Sequence, residues 1–194
     1  MKFNSDIDID FSDRDKILNL IDHTPAAMRN IKPMRKHSTG IYVTDIPYDP
    51  ANNMASIDYT EAERRGYVKL DFLNVHVYSQ VKSERHLFEL MREPNWELLK
   101  YQSVVEKLIH LGNHYHAIKK MPEPINSIPR LAMFLAVIRP AKKHLVGKYW
   151  SEVSRTIWDK DQSGYAFKKA HAISYAWLVA VHLNLLEEQG IITI

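Results

Sequence analysis

The stretch NSDIDIDFSDRDKI, residues 4–17, puts Asp6, Asp8 and Asp10 on alternate positions, with Ile7, Ile9 and Phe11 filling the others. In an extended chain, successive side chains point to opposite faces, so the aspartates share one face and the apolar residues the other. Aspartate is a poor strand former, and aligned like charges raise the energy further. Two arrangements relieve that cost: a divalent cation held by the carboxylates, or an edge strand whose acidic face is solvated. A second carboxylate stands out in GYVKLDFL, residues 66–73. Alternation gives Val68, Leu70 and Phe72 one face and Lys69 and Asp71 the other. An unpaired charge in so apolar a strand costs several kcal/mol, so Asp71 needs a cation, a hydrogen-bond donor or water. If this strand lies beside the first, Asp71 joins Asp8 and Asp10 in a three-carboxylate cluster. Such a cluster suits Mg²⁺ or Mn²⁺, which take oxygen ligands shared between carboxylates and phosphates. The other outcome is a structural ion pair between Asp71 and a neighbouring Lys or Arg.

The elements that must position these acids follow from pattern and punctuation. A strand over about 5–11 leads into a short helix in SDRDKILNLI, with Ser12 or Asp13 as its N-cap. DHTPAAMRNIKPMRKHS, broken by Pro25 and Pro33, predicts a loop ending in a basic cluster. TGIYVTDI predicts a strand, IPYDPANN a turn, MASIDY a strand, TEAERRG a helical turn closed by Gly66, and YVKLDFL a further strand. From about residue 75 the period becomes helical. NVHVYSQVKSERHLFELMREP and NWELLKYQSVVEKLIHLGNHYHAIKKM predict helices, with Gly112 a point of interruption in the second. PEPINSIP is a rigid linker, and RLAMFLAVI, KKHLVGKYWSEVSRTIW and KKAHAISYAWLVAVHLNLLEEQ predict three more helices. YAWLVAVHLNLL is apolar on all sides, which predicts a buried helix. The expected fold class is therefore α+β: a small mixed sheet near the N-terminus followed by a helical half.

Composition bounds the functions available. The 194 residues are 45% apolar and 25% charged, as expected of a globular protein. Cysteine is absent, which excludes disulfides and thiolate metal sites and fits a cytoplasmic location. No apolar run is long enough to span a bilayer, and MKFNSDIDID lacks the apolar core of a signal peptide, so neither membrane insertion nor export is expected. The net charge of +3 is unevenly placed. Residues 1–72 hold 10 Lys/Arg against 12 Asp/Glu, and residues 119–169 hold 11 against 4. An acidic front and a basic back suit an enzyme of nucleotides or nucleic acid. HLGNHYH sets His110 and His114 four apart with His116 close by, a spacing open to zinc or to an ordinary polar face. Tyr165, Trp150 and Trp158 lie among the basic residues, available for base stacking or for core packing.

Five segments, in order, resemble the C-family DNA polymerases, the bacterial DNA polymerase III alpha subunits. SDIDIDFSDRDKI resembles their acidic palm motif, RKHSTGIYVT their histidine-and-glycine segment, and GYVKLDFLNVHVYS their segment with a Lys-x-Asp-Phe-Leu core. LAMFLAVIRPAKKHL resembles the Ala-Leu-x-Arg-Pro stretch of the fingers, and YAFKKAHAISYAWLVAVHLNLL a fingers helix. The resemblance implies a palm-like nucleotidyltransferase lobe at 1–95 and a helical fingers-like lobe at 96–194, or one compact domain holding both. It implies two divalent metals held by Asp8, Asp10 and Asp71, with Asp6 in support. It implies DNA and nucleotide contacts from Arg139, Lys168, Lys169 and His171. DNA and dNTP are the expected partners, with a replisome protein as a further one.

The departures are substantial. The chain is several times shorter than any replicative member, no Gly-Ser phosphate-gripping motif precedes the acidic strand, the segment between the first two motifs is about twenty residues, and Ala141 stands where the fingers have glycine. Two functions therefore stay open: a minimal DNA polymerase-like nucleotidyltransferase, or a non-catalytic DNA- or replisome-binding remnant of viral (phage) origin.

Overall fold

A computed structural model of the chain describes residues 7–29, 32–160 and 167–192. Within them the chain is α+β, a small mixed sheet followed by a helical half. It divides into two compact units, Met1–Val81 and Lys82–Ile194.

The first unit holds the sheet. Strand β1 (Ile7–Phe11) follows from the alternation described above, and helix α1 (Arg14–Leu18) starts where the Asp13 carboxylate accepts the Lys16 N–H. Strand β2 (Thr24–Ala27) lies inside the segment expected to be loop. Pro25, which has no N–H to give a ladder, misleads there; β2 is an edge strand, where proline is tolerated, and fully buried Ala26 and Ala27 let it pack closely. Strand β3 (Lys36–Tyr42) is followed by a minimal hairpin of β4 (Tyr48–Asp49) and β5 (Met54–Ala55). Helix α2 (Tyr59–Arg64) is capped by Asp58, whose carboxylate accepts the N–H groups of Thr60 and Glu61. Strand β6 (Leu70–Asn74) and a 3-10 turn at His76–Gln80 complete the unit.

The four-stranded sheet runs β1-β6-β3-β2, so the last strand inserts between the first and third. β6 is parallel to β1 and antiparallel to β3. Ile9 faces Phe72 in register, and Phe11 and Phe72 bring their ring centroids to 4.6 Å on the apolar side. Tyr42, Ala26, Ile46, Ala55 and Ala62 form a separate small core.

The second unit contains α3 (Glu84–Leu90), α4 (Gln102–Val105), α5 (Tyr115–Lys120), α6 (Ile128–Val137), α7 (Trp150–Thr156) and α8 (Lys169–Glu188). The long helical periods of the sequence are cut into shorter pieces for local reasons. His76–Gln80 and Trp96–Lys100 are 3-10 turns, Tyr101 is extended, and His110 has φ 63°, so no continuous helix carries His110 and His114 on one face. Gly147, at φ +86°, separates the 3-10 turn Pro140–Leu145 from α7 in a conformation L side chains rarely adopt. The core is built on α6 and α8. Leu131, Phe134 and Leu135 of α6 are fully buried, as are Ala172, Ala176, Ala180 and Asn184 of α8. The Asn184 amide donates to the carbonyls of Leu90 and Arg92, tying the end of α3 to the middle of α8. Trp150 is a core residue whose indole donates to the Pro124 carbonyl, and Trp158 packs against the same core. Tyr165 lies outside the described residues. Among the described residues no helix is long and apolar enough to cross a membrane.

Candidate functional site

The pairing of β1 with β6 decides where the acids go. Asp8 stands directly opposite Asp71, and Asp10 opposite Leu73. Register partners in a parallel pair share a face of the sheet, so Asp8, Asp10 and Asp71 all point to the same side. Carboxylates 63 positions apart in sequence are thus neighbours across two adjacent strands. Asp8 and Asp10 are half-buried and Asp71 is buried. Asp6 lies outside the described residues.

Asp71 also has partners on the protein. The Lys69 ammonium donates to its Oδ2, and the Thr39 hydroxyl donates to its Oδ1 at 2.8 Å. Both side chains of the Lys69–Asp71 pair are about nine-tenths shielded, 11% exposed each. The third neighbour, His37, approaches Asp71 Oδ1 at 3.7 Å through Nδ1, too far for a hydrogen bond. That nitrogen accepts the N–H groups of Gly40 (2.9 Å) and Thr39 (3.2 Å), which orients the ring against β3. Tyr59, at the start of α2, lies beside the network, with its ring edge-on to His37 at 5.7 Å and 5.8 Å from the Lys69 ammonium.

Gly40 explains how so many groups fit. It is the register partner of Asp71 on β3, on the face toward which the acids point. A Cβ there would stand 2.9 Å from Lys69 Cδ, 3.1 Å from His37 Nδ1 and 3.2 Å from Ala26 Cβ. The missing side chain leaves the channel along which the Lys69 stem reaches Asp71.

Two tyrosines register the field of these acids. Burial pushes the Tyr42 hydroxyl up to about 12, with Asp58 and Asp71 adding to the shift. Burial also raises Tyr78, and Asp10 contributes next. Among the described residues no group of three or more His, Asp or Glu side chains is already arranged to hold a metal ion. The sheet therefore sets the three aspartates on one face without preassembling them into a closed ligand cage.

The cationic candidates all belong to the second unit. Arg139 precedes the 3-10 turn at Pro140, and its guanidinium lies 4.5 Å from the centre of the Phe167 ring. Its Nε is buried with no hydrogen-bond partner. Lys168 is the N-cap residue of α8 and Lys169 its first residue, both exposed. His171 stacks on Tyr175 at 5.9 Å and lies 6.5 Å from Phe167. The structure thus brings Arg139 and His171 together around Phe167, while Lys168 and Lys169 extend from the same end of α8. The ion pair of Asp71 with a neighbouring lysine, the alternative the sequence left open, is present as Lys69–Asp71, whereas the Thr39 and His37 contacts were missed. Lys69 was on its face by alternation, but Thr39 and His37 reach it only because β3 folds its own amides onto the His37 ring.

No protein-family model matches the chain, and neither a curated protein nor a solved structure matches it. The likeness to C-family polymerases accordingly rests on the five sequence segments alone.

Proposed function

We propose that the chain is a DNA polymerase-like nucleotidyltransferase that takes DNA and dNTP and works with Mg²⁺ or Mn²⁺ held by Asp8, Asp10 and Asp71. The observation that carries the reading is the register: Asp8 opposite Asp71 on parallel neighbouring strands, with Asp10 next on the same face. The donor set fits a hard cation, because all three are carboxylates and hard divalent ions take oxygen ligands. When bound, such ions supply a lowered pKa for the attacking 3′-hydroxyl and charge stabilisation for the leaving pyrophosphate.

The protein's own residues do the rest. Asp71 is held in one orientation by the Thr39 hydroxyl, which leaves Oδ2 as the oxygen to be shared. Lys69 occupies that oxygen and keeps the buried carboxylate neutralised, and a divalent ion held by Asp71 would have to share it with the ammonium. The ammonium, on a flexible stem, would also be placed to donate to a phosphate oxygen. Arg139, Lys168, Lys169 and His171 supply positive charge to the polyanionic substrates.

The same Lys69–Asp71 contact favours a second reading, a DNA- or replisome-binding remnant without chemistry, because an internal lysine already does what a metal would do for Asp71. One experiment separates the two. Purified protein is given a primed template, the four dNTPs and Mg²⁺ or Mn²⁺, beside Asp8→Ala and Asp71→Asn variants. Extension that both variants lose supports the enzyme. No extension, or extension that survives in both variants, contradicts it.

A further inference from the structure

The second unit holds a groove that the polymerase-like reading does not use. It lies between the Asn113–Ala117 stretch and the Ile138–Val146 stretch and has a volume of about 440 Å³. His114, His116, Lys120 and Lys143 line it, and no carboxylate does among the described residues. Lys120 and Lys143 form no ion pair with any described acid, in a protein whose other lysines and arginines often do (Arg64, Arg65 and Lys82 among them). Positive charge is concentrated here without internal compensation.

The neighbouring histidines feel that charge. His114 is held below the usual histidine range first by loss of water and then by Lys143 and Arg139. His110 is lowered by loss of water and then by Arg139. Arg139 follows the groove residue Ile138 directly in the chain and so links the groove to an aromatic cluster. In that cluster His110 packs on Tyr175 at 4.5 Å, Phe167 stacks on Tyr175 at 6.2 Å, and the Arg139 guanidinium covers Phe167. A line of uncompensated cations beside flat rings is the combination that binds single-stranded nucleic acid, with phosphates on the cations and bases on the rings.

We propose that the groove flanked by Lys120 and Lys143 binds the phosphodiester backbone of single-stranded nucleic acid, with the aromatic cluster around Arg139 receiving its bases. This inference shares Arg139 with the catalytic reading but needs neither a metal nor the aspartates. A small anion would need only the cations; the rings next to them are what favour a strand.

The test is fluorescence anisotropy of a short labelled oligothymidylate with the full chain over a range of salt. Each phosphate contact on a single strand contributes about −0.7 to the slope of log affinity against log salt. Lys120→Ala/Lys143→Ala should make that slope shallower by about 1.4 and weaken binding at any one salt concentration. The charge-matched control Lys100→Ala/Lys107→Ala, outside the groove, should keep the wild-type slope. An unchanged slope in the groove variant, or an equal change in the control, overturns the proposal. So does a blunt duplex binding as well as the single strand. Displacement of the oligonucleotide by pyrophosphate at matched ionic strength would assign the groove to a free polyphosphate and also overturn it. Asp8→Ala should bind the oligonucleotide like wild type, so failure of nucleotide incorporation and failure of strand binding are read separately.

Discussion

Removing one member of the Lys69–Asp71 pair should destabilise the first unit strongly, and removing both should not. At an effective dielectric constant of about 20, two charges in contact at ~3 Å attract by roughly 5–6 kcal/mol. That attraction offsets the cost of taking both from water, so the pair itself adds little net stability. The asymmetry appears when one partner goes. Each side chain is only 11% exposed, so the survivor cannot simply turn to solvent. Lys69→Met should cost about 3 kcal/mol, at the low end of the roughly 3–5 kcal/mol usual for a stranded buried charge, because the Thr39 hydroxyl still serves Asp71. Asp71→Leu removes the carboxylate that the ammonium donates to and should cost a similar amount. The double variant Lys69→Met/Asp71→Leu should return to within about 1 kcal/mol of wild type, a coupling that contacting residues show and distant ones do not. Urea unfolding followed by hydrogen exchange at the β6 amides measures the first unit. All four tryptophans lie in the second unit, so their fluorescence is an internal control that the substitutions should leave unmoved. Single variants costing under about 1 kcal/mol, or a double variant as unstable as the sum of the singles, would refute this account of how Asp71 is held.

Other consequences follow from groups away from that pair. The Tyr42 hydroxyl is buried without a hydrogen-bond partner, so Tyr42→Phe should leave stability unchanged or raise it by about 1 kcal/mol, read from the same unfolding curves. Glu188 is held down at about 2, first by the Lys82 ammonium and then by His86. A carboxylate depressed in the folded state contributes stability above its ordinary range near 4.5 and loses it as pH falls toward 2. The contact between the start of the second unit and the end of α8 should therefore loosen over that window, seen as faster amide exchange near His86. Glu188→Gln should remove the pH dependence.

The parts of this architecture written in local pattern were legible in the sequence. Alternation identified β1 and β6 and put Lys69 beside Asp71, and cap preference narrowed the α1 cap to Ser12 or Asp13, because each depends on neighbours within a few residues. The meeting of Asp8 with Asp71 was legible only as a condition. It depends on β6 inserting beside β1, a long-range pairing that no local period encodes. β2 was hidden by Pro25, whose lack of an N–H matters in a central strand and not on an edge. The helices of the second unit were overextended, since their apolar period continues through His110 and Gly147, where the backbone turns left-handed. The groove between α5 and the Pro140–Leu145 turn was invisible, as its cations come from segments that share no pattern.

The central claim is that three aspartates on one face of the sheet hold a divalent ion, and the metal arm of the incorporation experiment tests it most directly. Titration of Mn²⁺ into the wild-type chain, followed by loss of the free-ion paramagnetic resonance signal, should reveal a bound population. Asp8→Ala and Asp71→Asn should abolish it, and Lys69→Met, which frees Oδ2 of Asp71, should tighten it. Mn²⁺ that stays free in the presence of wild-type protein, or that binds equally when Asp8 is gone, would contradict the account.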